Sequence, residues 1–169
     1  MALIYLIRHA RPAHSGRMLG QYDSPLAGEA DVSPAAVEAA HVYASPLQRA
    51  RQTAQRLFPA TPLTILAELA EVSLGEWDGR SWAEIETGWA EVANAKLRDW
   101  TGVVPPGGEA WPAFVARVSR AWTEIRRGPA PCAVVAHAGV NAVLAHLIDG
   151  RDPLSFQQEY GEVTSFEIV

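Results

Sequence analysis

The sequence predicts an α/β domain with a mostly parallel central sheet. Three observations carry that expectation. The runs Ala2-Leu3-Ile4-Tyr5-Leu6-Ile7 and Ala133-Val134-Val135-Ala136 are apolar throughout. Strands buried on both faces read this way, whereas half-exposed strands alternate. Segments of helical spacing lie between the strand-like runs, as in a sheet with helices packed on it. Each apolar run also ends at a histidine, His9 and His137.

The other elements follow from local signals. The stretch from Arg11 to Ala36 is rich in Pro, Gly, Ser and Asp and reads mostly as loop. Val42-Tyr43-Ala44 is a second short strand, and Ser45, Pro46 and Gln48 then predict a capping box opening a helix to about Phe58. Leu63 to Leu66 is a third strand, and Ser81 with Glu84 is a second capping-box start. Trp111, Phe114, Val115, Val118, Trp122 and Ile125 keep the spacing of an amphipathic helix. Gly139 to Leu147 reads as a helix and Val163 to Val169 as a closing strand. No repeat, low-complexity tract or linker interrupts residues 1–169, which are read as a single domain.

Length and composition narrow the function classes. The chain has 169 residues, 49% hydrophobic and 20% charged, an ordinary globular balance. The net charge is −5 and no basic stripe occurs, which argues against a nucleic-acid partner. Cys132 is the only cysteine, so neither an intrachain disulfide nor a cysteine metal site is available. The apolar start is one strand long with no basic segment before it. It therefore reads as neither signal peptide nor membrane span, and a cytoplasmic location is expected. His14, His41 and His146 lack metal-ligand spacing with carboxylates, so no metal or other cofactor is expected.

In open α/β sheets, ligands bind at the C-terminal edge of the strands. A lone histidine there reads as a structural residue; two in equivalent positions, one directly after Arg8, point to a site. Arg49 falls in the first turn of its helix, where the macrodipole disfavours a cation. It is either a solvated surface residue or shares an anion, phosphate above all, with the helix terminus. Arg51 and Arg56 read as surface residues. Glu71 precedes a run dense in turn signals and reads as a solvated carboxylate or as a general acid.

Four blocks then carry a resemblance. Leu6-Ile7-Arg8-His9-Ala10-Arg11-Pro12, Ser45 through Ala54, Glu71 through Gly79, and Val134 through Val140 resemble, in order, the motifs of the histidine phosphatase and phosphoglycerate mutase superfamily. The resemblance implies a three-layer α/β/α fold and a phosphomonoester hydrolase acting on a small phosphorylated metabolite. By the same resemblance His9 accepts the phosphoryl group. Arg8, Arg49 and His137 hold its oxygens, with Ser15 and Ala138 at the phosphate site, and Glu71 protonates the leaving oxygen and then activates water. The arginine-proline after Ala10 and the run Pro105-Pro106-Gly107-Gly108-Glu109 resemble the alpha-ribazole phosphatase branch, which acts in cobalamin assembly. The latter run reads equally as a turn before a helix. Phosphoglycerate mutase chemistry and non-catalytic binding of a phospho-ligand are the rival functions.

The chain departs from the family pattern at three rim positions. Ala10 stands where glycine is usual, a strained choice only at positive φ, costing about 1 kcal/mol. Pro12 and Ser15 replace the usual threonine and asparagine. The interval from His9 to Ser45 is also short, so the usual first helix is expected to be shortened or missing. An apolar sheet face would then need another cover, such as the second subunit of a homodimer.

Overall fold

The computed structural model describes residues 2–28, 30 and 32–168. Strands β1 (Ala2–Arg8), β2 (His41–Ala44), β3 (Leu63–Ile65), β4 (Cys132–Ala136) and β5 (Val163–Ile168) form one sheet in the order β3-β2-β4-β1-β5. The first four strands pair in parallel, and β5 closes the edge antiparallel to β1. The expected mostly parallel α/β architecture is therefore present. The register sets Leu6 against Val134 and Arg8 against Ala136, so β1 and β4 finish on the same rung.

Among the described residues five α-helices accompany the sheet: α1 (Gln48–Leu57), α2 (Trp82–Gly88), α3 (Ala90–Arg98), α4 (Trp111–Ile125) and α5 (Ala138–Asp149). The pleat sends Ile4, Leu6 and Val134 to one face, where Phe114, Val118 and Ile125 of α4 meet Val140, Val143 and Leu144 of α5. It sends Ile7, Val42, Ala44, Ala133 and Val135 to the other, against Ala54 of α1 and Phe58. Every residue of β4 is buried, which is why this strand reads as an unbroken apolar run. Burying each such Val, Leu, Ile or Phe is worth about 1.5–3 kcal/mol.

The first helix is missing. Among the described residues between β1 and β2 there is neither helix nor strand, only the isolated bridges Pro12–Leu26 and Met18–Arg80. The sheet face is less bare than that loss implies. Ala35, Val37 and Ala39 pack beside Leu57 and Leu63 against it. A narrower strip stays open, with Leu3 and Tyr5 half-buried and Val163 exposed.

Two local expectations need correction. The capping box at Ser45 does not form: Leu47 is the N-cap of α1, without a side-chain cap. The Ser45 hydroxyl is taken by His137, and the Gln48 side chain donates to Asp23. The box at Ser81 and Glu84 does form at α2. Helix α3 was not legible in the pattern; it packs with α2 on a satellite core of Leu74, Trp77, Ile85 and Ala93.

Candidate active site

The ends of β1 and β4 bring the two histidines together. The His9 backbone N–H donates to Ala136 O at 3.0 Å, and the two rings lie 5.1 Å apart, edge to face. His9 is buried, and its Nδ1 lies 2.7 Å from Ala10 O. A carbonyl only accepts, so Nδ1 carries the proton and Nε2 keeps its lone pair. Burial pushes the His9 pKa down to about 3, the Ala10 bond opposing it and Arg49 and Arg8 adding to it. The ring is thus neutral over the ordinary pH range, with the Nε2 lone pair free.

His137 is held from β2. Its Nε2 lies 2.7 Å from Ser45 Oγ, which also accepts from the Leu47 N–H at 3.2 Å. Nδ1 is buried with no partner among the described residues. If Ser45 donates its hydroxyl proton to Nε2, the imidazole proton sits on Nδ1, a donor left over for a ligand. Burial, then the neighbouring His9 and arginines, hold the His137 pKa well below its ordinary value. The ring is therefore neutral, and with the proton on Nδ1 it would be a neutral donor.

Two guanidiniums flank the histidines. Arg49 is 1% exposed, and its Nη1 and Nη2 donate to Tyr22 O and Gly20 O at 2.8 and 2.7 Å. Arg8 Nη1 donates to Gln158 O at 2.7 Å, and its guanidinium lies 4.2 Å from the centroid of the Tyr160 ring. The Nε atoms of both arginines are buried and unpartnered among the described residues, and neither arginine forms an ion pair there. Charged donors left unpaired at low exposure are costly unless an anion arrives.

Glu71 closes the group. Its Oε1 accepts from the Val72 N–H at 2.9 Å and its Oε2 from the Gly139 N–H at 3.1 Å, in the first turn of α5. Burial raises its pKa, and these two backbone bonds and the arginines only partly offset that. Arg8, His9, Arg49, Glu71, His137 and Ala138 all line one cleft of about 440 Å³.

Ser15 does not join them. It is exposed in the turn over residues 13–16 and is not part of the cleft lining, whereas Arg17, Met18 and Leu19 are. Ala10 costs nothing, since no described residue other than glycine has a positive φ. Its N–H donates to Thr53 Oγ1 at 3.0 Å. Among the described residues no three His, Cys, Asp or Glu side chains gather into a group that could hold a metal ion.

A model of the histidine phosphatase superfamily (branch 1) matches residues 4–169. The chain belongs to that superfamily. Among curated members, the adenosylcobalamin/alpha-ribazole phosphatase of Salmonella typhimurium is 38% identical over 81 residues, 47% of this chain and 40% of that protein. Its Escherichia coli counterpart is 35% identical over the same share of each chain. The aligned part thus spans less than half the length of these curated histidine phosphatases. Solved structures align more fully. A putative alpha-ribazole-5'-P phosphatase from Escherichia coli superposes with a TM-score of 0.86 at 26% identity, covering 97% of this chain and 89% of that one. The alpha-ribazole phosphatase from Shigella flexneri gives 0.84 at 25% identity, covering 99% and 91%.

The outer cleft of this superfamily member was not read from the sequence. Trp100, Trp111, Leu154 and Phe156 line it, together with Tyr160 beside Arg8. Trp100 is set by the buried Lys96, whose Nζ donates to the carbonyls of Trp100 and Val103. Tyr160 sits in a segment without periodicity, so no sequence signal marks it. Trp111 was legible only as the first residue of an amphipathic helix.

Proposed function

We propose that the protein is a phosphomonoester hydrolase working through a phosphohistidine on His9. The observation that carries this reading is the convergence, in one cleft, of the unprotonated His9 Nε2 with two guanidiniums whose Nε atoms have no partner. A phosphoryl group satisfies both, because its transfer is catalysed by positioning and by charge on its equatorial oxygens.

In this reading His9 Nε2 attacks phosphorus as the bond to the leaving oxygen breaks. Arg8, Arg49 and the His137 Nδ1–H hold the phosphoryl oxygens, and the N-terminal turn of α5 at Ala138 adds a favourable dipole. Glu71, whose pKa burial raises, gives its proton to the leaving alkoxide from its acid form. Its carboxylate then takes a proton from water as that water attacks phosphorus and releases His9. No metal or cofactor is required, because the arginines supply the charge that a metal would otherwise provide.

For the substrate we propose alpha-ribazole phosphate. The names of the relatives support it, and so does the chemistry of the outer cleft, where two tryptophans, a leucine and a phenylalanine favour a leaving group with a flat apolar ring. A turnover screen over alpha-ribazole phosphate, sugar phosphates and phosphoglycerates tests this. The highest kcat/KM is expected for alpha-ribazole phosphate, and a preference for phosphoglycerate would overturn the assignment.

This reading treats residues 1–169 as one domain acting in the cytoplasm. No helix among the described residues is long and apolar enough to cross a membrane. It also includes a homodimer, in which a second copy covers the strip of Leu3, Tyr5 and Val163. Light scattering that gives a monomer mass at high concentration would refute that part.

A further inference from the structure

Arg117 is half-buried on α4 and commits its guanidinium to the segment that carries Glu71. Its Nη1 donates to Glu68 O at 2.7 Å and to Ala70 O at 2.8 Å, and its Nη2 reaches Glu71 O at 3.3 Å. Nε and Nη2 also form a fork on Glu109, at 2.9 and 2.8 Å. Glu109 in turn grips the far side of the same segment: its Oε2 accepts from the Ser73 N–H at 3.3 Å, and its own N–H donates to Ser73 O at 2.9 Å. Next to it, Gly75 has φ +57° and packs so tightly on Pro106 and Gly107 that a Cβ would collide with their backbone.

The segment needs this grip. Residues 70–74 belong to no helix or strand, so their carbonyls have no ladder partner. Neither Arg117 nor Glu109 lines the cleft. Burial alone would raise the Glu109 pKa, but the bonds and charge of Arg117 outweigh it and hold the carboxyl below its ordinary value. The Glu109 carboxylate therefore stays ionised at neutral pH.

We infer that the Arg117–Glu109 pair is a positioning device for the general acid, clamping residues 68–73 so that the Glu71 carboxyl stays on the Val72 and Gly139 N–H groups beside the leaving oxygen. The inference rests on the reading of Glu71 as the acid. Neither residue touches substrate; both act through Glu71. The guanidinium here serves three carbonyls and both Glu109 oxygens, one for each of its five N–H groups, whereas an ammonium group has only three, so the device requires arginine and not merely a positive charge.

The test is single-turnover phosphoenzyme formation in Arg117→Lys and Glu109→Gln, with an alkyl and an aryl phosphate. Misplacing a reacting group by about 1 Å can cost about 10²-fold. The variants should therefore slow the alkyl burst by about 10–100-fold and the aryl burst by less than about 3-fold, since an aryl oxide leaves without a proton. Added to Glu71→Gln, either substitution should cost the alkyl burst nothing further, because both act on one proton transfer. A device that loosens also lets water reach Glu71, so the fall in the alkyl burst on the alkaline side should move to lower pH in the variants. If Arg117→Lys does not fold, Glu109→Gln carries the test alone. Equal slowing of both substrates, or full additivity with Glu71→Gln, overturns the inference and leaves the pair as scaffold. A wild-type protein that forms no phosphoenzyme fails differently, because it overturns the hydrolase reading itself.

Discussion

The Glu71 carboxyl accepts a hydrogen bond from the Gly139 backbone N–H at 3.1 Å, which ties the loop after β3 to the first turn of α5. Only glycine leaves room for it, since a Cβ at position 139 would lie 2.5 Å from Glu71 Oε1. Gly139→Ala is therefore expected to displace the carboxyl while improving helix propensity by about 1 kcal/mol. Thermal unfolding should show an unchanged or raised Tm, with turnover of an alkyl phosphate reduced by about 10-fold or more. Loss of activity matched by loss of stability would mean that the contact is merely structural.

Glu71 itself can be isolated by leaving-group chemistry. Glu71→Gln keeps the shape and removes the acid, so phosphoenzyme formation from an alkyl phosphate should slow by about 10²–10⁴-fold. A nitrophenyl phosphate needs little proton assistance and should be affected far less. The comparison must be made in the burst phase, because in the proposed mechanism Glu71 also activates the water in the second step. Equal slowing for both leaving groups would assign the proton to another residue.

The pH dependence follows from the directions of two shifts. Burial raises the Glu71 pKa, so the acid form persists above the ordinary carboxyl range and is lost as pH rises through the raised value. His9 is pushed the other way, to about 3, so its neutral form is present throughout and is lost only at strongly acidic pH. The ratio of wild-type to Glu71→Gln burst rates with an alkyl phosphate cancels the ionisation of the substrate. That ratio should be greatest at acidic pH and fall as pH rises. A ratio constant between about pH 4 and 9 would contradict the acid role.

Activity should survive prolonged chelation, because Arg8 and Arg49 already supply positive charge at the cleft. Loss of turnover on chelation, restored by one divalent ion, would replace the assigned chemistry with a metal-assisted one.

Much of this arrangement was legible in the sequence because it rests on short-range signals. β1 and β4 announce themselves through burial on both faces, and their register then makes the adjacency of His9 and His137 unavoidable. Arg49 was marked by its misfit with the helix dipole, and the missing first helix by the short interval from His9 to Ser45. The failures are all tertiary. Ser45 carries the local chemistry of an N-cap, but the bond to His137 across 92 residues takes its hydroxyl. Ser15 replaces the family's usual asparagine, and it lies exposed in a turn outside the cleft lining. Arg117 left one usable clue: it lies three residues after Phe114 and four before Ala121, beside the buried stripe of α4. A cation there needs a partner, and Glu109 was available at the entrance to the same helix.

The central claim is that His9 carries the phosphoryl group, and one measurement addresses it directly. The wild-type protein and His9→Ala are mixed with an aryl phosphate, quenched within milliseconds into alkali, and weighed as intact chains. Phosphohistidine is stable to alkali and labile to acid, so the wild type should gain the mass of one phosphoryl group, lose it on acidification, and yield a peptide modified at His9. His9→Ala should show no such gain and no turnover. A His9→Ala protein that still becomes phosphorylated, or hydrolyses the substrate at near the wild-type rate, would contradict the account.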